Sequence, residues 1–444
     1  MKSYDTVVVG SGPAGGEAAR RLRAAGQSVA LVEKDGFGGV CPLRGCNPKK
    51  VLMAAAEARH AASSLAGLGI ASQPGVDWPV LARFRDSFVE PISEQVENHY
   101  FEIGVDLYYG VARMTGPDIV VVGGEELQGT NLVLCPGMRP RPLDVPGSEH
   151  LSTSDDFLAL NELPREIVFL GGGFIAMELA HIAAHCGARV SVFSRSQLLK
   201  GFDPELVEQL VTATREAGID LRIGPTAQAA TLEEGQIVLS LSDGTTKTCQ
   251  MAVNCTGRIP DLDGLDLNAG TVAHSRHGIE VNDFLQSITN PAVYAAGDAA
   301  DTPFGLTPTA TIESIALAEN ILNGNTSMPD FEGVPSVCFT LPPIASAGLA
   351  VEMARQMNIP HRVKTGDLSQ SFPWKRLGEQ AGGYRLVLSE EEDRILGAHL
   401  FGHAAEELIN TFAAFIRLKT PLSGLRKTVW AYPTCGYYLK YMLD

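Results

Sequence analysis

In "GFGGVCPLRGCNPKKVL" two cysteines, Cys41 and Cys46, are separated by four residues, with Arg44 between them and Lys49 and Lys50 just beyond. Two thiols at that spacing can close to a disulfide and reopen, a two-electron change. If the segment opens a helix, the spacing brings both sulfurs to one face. The positive end of such a helix, with Arg44, Lys49 and Lys50, favours the reactive thiolate. The plainer reading is a pair of small core hydrophobes. The neighbouring glycines and the cluster of cations argue against it. The other six cysteines, at 135, 186, 249, 255, 338 and 435, are scattered, so no structural disulfide framework is expected.

A dithiol needs an electron source, and the chain carries two candidate holders of one. "YDTVVVGSGPAGGEAARRLRAAGQSVALVEKDG" predicts strand, turn, helix, strand. The strand Thr6 to Val9 ends in a turn built from Gly10, Gly12, Pro13, Ala14 and Gly15. Its first glycine permits the tight turn, the second lets backbone approach a pyrophosphate, and the third lets helix pack on strand. The next strand, Ser28 to Val32, ends at Glu33 and Lys34, and an acid there can accept from an adenosine ribose. The pattern recurs as Ile167 to Leu170, then Gly171, Gly173, Phe174, Ile175 and Ala176, a helix, and a strand Arg189 to Phe193. That second strand ends in Ser194 and Arg195, with Lys200 close by. Without the acid and with two cations, the pattern favours the 2′-phosphate of NADPH over NADH. The plainer reading makes Arg195 and Lys200 solvated surface charges. Two dinucleotide units in one chain suggest a flavin beside a nicotinamide.

The whole chain is consistent with this. Its 444 residues are too many for one ordinary domain, and 46 glycines suit many tight turns. A formal net charge of −16 argues against non-specific binding to nucleic acid or an anionic membrane. No apolar run has the length of a membrane span. "MKSYDTVVVG" enters a strand at once rather than reading as a secretion signal, so a reducing cytoplasmic setting is expected.

The dithiol segment resembles the pyridine nucleotide–disulfide oxidoreductases, the family of glutathione reductase, dihydrolipoamide dehydrogenase and mercuric reductase. Gly38, Gly39, Val40, Cys41, Cys46, Pro48 and Lys50 carry the G-G-x-C-x(4)-C-x-P-x-K signature. "VNCTGRIPDLDGL" with Gly257 and Arg258, and "VYAAGDAADTPFGLTPTA" with Gly297, Asp298, Leu306 and Thr307, are similar to later motifs of the family. So is the segment "SVCFTLPPIASAGL", at the entry to its dimerisation domain, and Gly137 is expected among the cofactor-binding residues. The resemblance covers essentially the whole chain. It implies an α/β fold: two doubly wound Rossmann-like FAD and NAD(P) domains plus an α+β C-terminal dimerisation domain. The implied division is an FAD domain over 1–148 and 265–331, an NAD(P) domain over 149–264 and an interface domain over 332–444. It implies a homodimer whose subunits share active sites. It assigns Cys46 to the flavin side and Cys41 to exchange with the acceptor. Lys50 would lie near flavin N5 with Glu178 as its partner, and Asp298 would meet the FAD ribityl or phosphates.

The tail departs from the family. Thiol-reducing members read H-P-T-x-x-E, where the His holds and protonates the exchange thiol and the Glu orients it. Here the frame is Tyr432, Pro433, Thr434, Cys435, Gly436, Tyr437. A free tyrosine titrates near pH ~10, so it is a poor base at neutral pH but can donate a proton to a strong leaving base. Three accounts follow. A disulfide or other sulfur acceptor, small or protein-borne, is reduced by an atypical proton route; or mercuric ion is the acceptor; or the flavin serves quinones directly, as a diaphorase. A low-turnover flavin redox sensor is the alternative of another class. Cys435 is either packing or a contact to the acceptor. His403, in "FGHAAEEL", is expected to be structural.

Overall fold

In the computed structural model, which describes Met1–Asp444, the chain forms two units. The first comprises Met1–Val51, Arg83–Arg141 and Gly257–Phe331. Its first strand runs Lys2–Val9. Val7 and Val9 face one apolar layer with Ala30, Val32, Leu132 and Leu134, while Val8 faces another with Leu31 and Val133. Burial on both faces is what a parallel sheet between two layers requires, and it explains the unbroken valine run. The strands lie in the order Asp106–Tyr109, Val29–Glu33, Lys2–Val9, Glu125–Leu134, all parallel. Val293–Ala295 joins the end of Glu125–Leu134 in parallel, and Ile119–Val122 pairs antiparallel with its beginning.

Helix Pro13–Ala24 returns over this sheet, burying Ala14, Ala18, Ala19 and Leu22. Its small residues admit a second helix, Thr307–Asn323, whose buried Ser314 Oγ donates to the Ala14 carbonyl at 2.7 Å. That bond spans 300 residues of sequence and fixes the late motif against the first.

The second unit comprises Leu52–Ala82, Pro142–Thr256 and Glu332–Asp444. It holds a parallel sheet in the order Asp220–Ile223, Arg189–Ser194, Glu166–Leu170, Met251–Asn254. Beside it in sequence is an antiparallel three-stranded sheet from Ala227–Glu233, Gln236–Leu241 and Thr246–Cys249. Its last part is a five-stranded antiparallel sheet from Pro335–Cys338, Ile344–Gly348, Ile395–Phe401, Gly383–Ser389 and His361–Asp367. Helix Ala405–Arg417 covers that sheet with Leu408, Ile409, Phe412 and Ile416, one face at helical spacing. Each such buried side chain stabilises the fold by about 1.5–3 kcal/mol.

The strands expected from sequence are present with edges moved by a few residues. The first begins at Lys2 rather than Thr6, because Lys2, Ser3 and Tyr4 still pair by backbone with Leu127, Gln128 and Gly129, although Lys2 and Ser3 are exposed and Tyr4 is only half-buried. The dithiol segment differs more. It is not one helix but two, Val40–Arg44 and Cys46–Ser64, broken at Gly45.

Candidate active site

The Gly45 break positions the thiols. A Cβ on Gly45 would lie 3.1 Å from the Val40 carbonyl oxygen and 3.3 Å from Cys41 Cα, closer than most side chains come, so the absence of a side chain eases this tight fold-back. Cys41 thus lies in the short helix and Cys46 opens the long one, half-buried and exposed respectively. The two sulfurs are within reach of a disulfide. Cys46 Sγ lies 4.0 Å from Thr307 Oγ1, at the first residue of helix Thr307–Asn323. Cys46 also opens a 19-residue helix, where the peptide dipoles favour an anionic sulfur. Arg44 lies 3.5 Å from Asp35, and Lys49 and Lys50 are half-buried.

The glycine turn of the first unit is backbone-walled. Gly10 has φ 96°, its N–H donates to Val32 O at 2.8 Å, and a Cβ there would lie 2.2 Å from Cys135 O. A Cβ on Gly15 would lie 1.9 Å from Gly10 O, which is the close helix–strand approach expected of the third glycine. Gly12 caps helix Pro13–Ala24, with Pro13 at its start, and Gly39 (φ 77°) backs directly onto Gly12. Gly38 N–H donates to Ser11 Oγ at 3.0 Å, and Ser11 N and Oγ both donate to Glu33 Oε2, at 2.9 and 2.6 Å. Glu33 Oε1 accepts from the Lys34 and Asp35 N–H groups at 2.8 and 3.0 Å. A carboxylate has about four acceptor sites, so ribose recognition by Glu33 would replace one of these bonds. Lys34 Nζ pairs with Asp261 at 2.6 Å.

A second wall of this unit is acidic. Gly297 (φ 71°) donates from its N–H to Glu313 Oε2 at 2.6 Å. Glu313 is fully buried, and burial pushes its carboxyl up to about 7, against the lowering effect of Thr302 and the Gly297 N–H. Asp298 is also raised by burial, with Arg258 opposing. Arg258 donates to Met138 O at 2.6 Å, next to Gly137, and the Gly257 carbonyl accepts from Arg141 N–H at 3.0 Å. Leu306 caps helix Thr307–Asn323. Glu313 escaped the sequence reading; "TATIESIALAEN" offers no spacing that marks one buried carboxylate.

In the second unit, Gly171 has φ 135° and its Cβ would lie 2.2 Å from Cys255 O. Gly173 caps helix Phe174–His185 with open space where its side chain would be. Phe174 is half-exposed, and Ile175 is half-buried. Arg195 and Lys200 are exposed, but Ser194 is buried and its hydroxyl donates to Ser196 O at 2.8 Å. Glu178 is buried, and its Oε1 accepts from Phe339 N–H at 2.8 Å. One turn on, His181 Nδ1 accepts from Leu341 N–H at 3.2 Å, and its Nε2 meets Thr214 Oγ1 at 3.1 Å. Glu178 and His181 therefore hold the entry segment of the C-terminal sheet by its backbone.

The tail clusters its tyrosines. Tyr432 is 67% exposed and meets Tyr437 edge-on, ring centroids 4.9 Å apart. Lys440 bonds the Tyr437 hydroxyl, and its Nζ lies 4.0 Å from the Tyr437 ring centroid and 4.6 Å from that of Tyr441. The Lys440 hydrogen bond and charge lower the Tyr437 phenol from its ordinary value. Thr434 Oγ1 accepts from Tyr437 N–H at 3.1 Å and donates to Ala431 O at 2.6 Å, which fixes the turn. Burial raises the half-buried Cys435 thiol, so it is protonated at neutral pH and suits packing better than nucleophilic work. His403 lies before helix Ala405–Arg417, its carbonyl accepting from Trp374 Nε1 at 2.9 Å and its ring lowered by burial. Lys440 escaped the sequence reading, although three positions past a tyrosine is a helix-neighbour spacing.

Backbone-walled glycine turns at two helix starts, a thiol pair beside one of them and an antiparallel C-terminal sheet define a flavin-dependent dithiol oxidoreductase class. Comparison with known proteins agrees. Residues 4–319 match the model of the pyridine nucleotide-disulphide oxidoreductase family, and residues 334–442 match that family's dimerisation domain. The chain belongs to this family, and is a flavoprotein enzyme that uses FAD and NAD(P)H. It is 31% identical to a glutathione reductase of Burkholderia cepacia, over 97% of this chain and 96% of the relative. It is 29% identical to a mercuric reductase of Lysinibacillus sphaericus, over 99% of this chain and 82% of the relative. A solved copper(II) complex of a cysteine-to-serine variant of RclA, an HOCl-induced flavoprotein disulfide reductase of Escherichia coli, superposes with a TM-score of 0.89 at 22% identity. That superposition covers 100% of this chain and 99% of RclA, and it supports the fold. No helix is long and apolar enough to cross a membrane.

The cofactor fits the chain's own geometry. The Gly12 amide end of helix Pro13–Ala24 and the open space at Gly137 suit an FAD pyrophosphate and its approach. The open Gly173 suits a nicotinamide dinucleotide in the same way.

Proposed function

We propose that this protein is an NADPH-driven reductase of a disulfide or other sulfur-containing acceptor, working through Cys41 and Cys46. The observation that carries the reading is the Gly45 break, which brings two thiols together at the start of a long helix in the unit that holds the first glycine turn. Bound FAD supplies hydride acceptance from NADPH and delivery of an electron pair to the cysteine pair. The protein's part is to hold the thiols, bias Cys46 toward thiolate and leave Cys41 to meet the acceptor. Lys50 and Glu178 are proposed to tune the flavin, and Asp298 to hold its ribityl or phosphate region. The dimerisation domain supports a homodimer, and the tail of one subunit is proposed to complete the site of the other. The reducing chemistry suits a cytoplasmic setting.

NADPH is preferred in this reading because Ser194 stands where NADH-specific folds place an acid, and Arg195 and Lys200 are exposed beyond it. Ser194 is not counted among the phosphate contacts, since its hydroxyl is already engaged.

Substitution of Cys41 or Cys46 by Ser tests the proposal. A disulfide reductase loses nearly all NADPH-driven turnover in either variant. Retained turnover would instead support a quinone reductase. That second reading, with mercuric ion as a further acceptor, is favoured by one observation: the tail presents Tyr432 and Tyr437 and no imidazole. Absence of steady turnover with any acceptor would leave a redox sensor.

A further inference from the structure

Glu313 is a buried carboxyl for which dithiol chemistry has no task. It lies on helix Thr307–Asn323 with no solvent exposure. Its Oε2 accepts from the Gly297 N–H at 2.6 Å, while its Oε1 is buried with no hydrogen-bond partner. The next residue, Ser314, donates to the Ala14 carbonyl, and a Cβ on Gly297 would lie 3.0 Å from that of Ala14. Gly297 therefore touches both Glu313 and the glycine turn at the start of helix Pro13–Ala24, where a pyrophosphate fits.

The groups that act on Glu313 bring it no positive charge. Burial holds its carboxyl up at about 7, Thr302 and the Gly297 N–H lower it, and Asp298 raises it. Asp298 is itself raised by burial, with Arg258 opposing. Cys135, just past strand Glu125–Leu134, is pushed by burial to about 12 and stays a neutral thiol. Helix Pro13–Ala24 buries only Ala14, Gly15, Gly16, Ala18, Ala19 and Leu22, so it adds no buried charge. A carboxylate with one oxygen buried and unpaired is costly, and a neutral carboxyl is much less so.

We propose that Glu313 is a positioning residue for FAD that carries a proton while the cofactor is bound and gives it up when the cofactor leaves. This rests on the reading that Asp298 and its turn hold FAD. FAD brings the negative charge of its pyrophosphate to the glycine turn and excludes water from it. Both effects disfavour a carboxylate behind Gly297. The neutral carboxyl still offers an oxygen to the Gly297 N–H, so the turn keeps its shape while a like charge is removed. A group whose pKa is raised by binding strengthens that binding fully below the lower value, and the contribution is lost as pH rises through the higher one. FAD is therefore held best up to neutral pH and is shed in mild alkali.

The test is release of FAD from diluted holoenzyme, read at equilibrium as free-flavin fluorescence from pH 6.5 to 8.5. FAD itself gains or loses no proton over that range. The wild-type dissociation constant should rise by about 10-fold between pH 7 and 8.5. Glu313→Gln keeps an acceptor for Gly297 and should flatten the profile. In a weak buffer with a pH indicator, FAD leaving wild-type holoenzyme at pH 7.5 should free a sizeable fraction of a proton, and FAD leaving Glu313→Gln should free none. A flat wild-type profile, no proton release from wild type, or a Glu313→Gln profile displaced but parallel to wild type overturns the inference. Asp298→Asn is the control for the underlying reading. If it holds FAD as wild type does, that turn does not carry the cofactor and the inference fails with the reading. If it sheds FAD while Glu313→Gln keeps the wild-type slope, only the inference fails.

Discussion

The Gly297 N–H donates to Glu313 Oε2 at 2.6 Å, and Glu313 has no solvent exposure. Burial raises the Glu313 carboxyl to about 7 from an ordinary 4.5, and the neighbouring Asp298 charge adds to the rise. In the unfolded chain the group ionises near its ordinary value, so between about 4.5 and 7 the folded state binds more protons. The stabilising contribution is full below the unfolded pKa and is lost as pH rises through the folded one, up to about 3 kcal/mol. Glu313→Gln keeps an acceptor for Gly297 and removes the titration. Its urea midpoint, relative to wild type, should rise steadily from pH 5 to 8. A constant difference across that range would show that Glu313 does not titrate this way.

Gly39 gives a sharper test of the cradle. It has φ 77°, and a Cβ would lie 2.5 Å from Gly12 Cα, backbone that cannot move aside. Gly39→Ala therefore displaces either the Gly12 turn or the segment leading to Cys41. The expected result is purified protein with most of its flavin absorbance lost but its far-ultraviolet circular dichroism retained. Full flavin content would mean that the turn does not hold the cofactor.

These residues also show what a sequence can reveal. Gly10 and Gly171, with positive φ, and Gly15, with its close backbone approach, were legible because these are local demands that only glycine meets. The valine runs were legible because a strand buried on both faces must be apolar throughout. The break at Gly45 was not, since a glycine inside an otherwise helical spacing gives no sign of whether the chain bends there. Glu313 and Lys440 were hidden for a different reason. One carboxylate or one ammonium acquires its function from what the fold places against it, here the Gly297 amide and the Tyr437 hydroxyl. The first unit draws on three separate stretches of chain, a partition that no local pattern encodes.

The coenzyme preference turns on exposed charge. Arg195 and Lys200 are exposed after strand Arg189–Ser194, so each is available to an added phosphate. Arg195→Glu should lower kcat/KM with NADPH by about 10-fold or more, as expected for losing roughly 1.5–3 kcal/mol of charge-assisted bonding, and spare NADH. Steady-state rates with both coenzymes check this. An unchanged ratio would make the two cations ordinary surface charges.

Histidines of the second unit set the acid limit of its stability. Burial is the first cause lowering His181 to about 3 and His185 to about 4; His185 and His60 add to it for His181, and His60 and Arg59 for His185. Thr214 Oγ1 meets His181 Nε2, the His60 ring lies 5.3 Å from that of His185, and Glu379 pairs with His60 at 3.2 Å. Both rings are neutral in the fold, and His181 Nδ1 is committed to accepting from Leu341 N–H. In the unfolded chain each takes a proton below its ordinary 6.5. Their contribution is therefore complete above the unfolded pKa and is lost as pH falls toward the folded values, about 1.4 kcal/mol per histidine per pH unit. The raised carboxyls of Glu313 and Asp298 act oppositely over part of the same range, but the lowered rings of His181, His185 and His403 outnumber them, so acidification from pH 6.5 to 5 should still lower overall stability. Urea midpoints of His185→Gln should fall less steeply than wild type over that interval. Parallel slopes would mean that His185 takes up its proton equally in the folded and unfolded chain, against the lowering by burial.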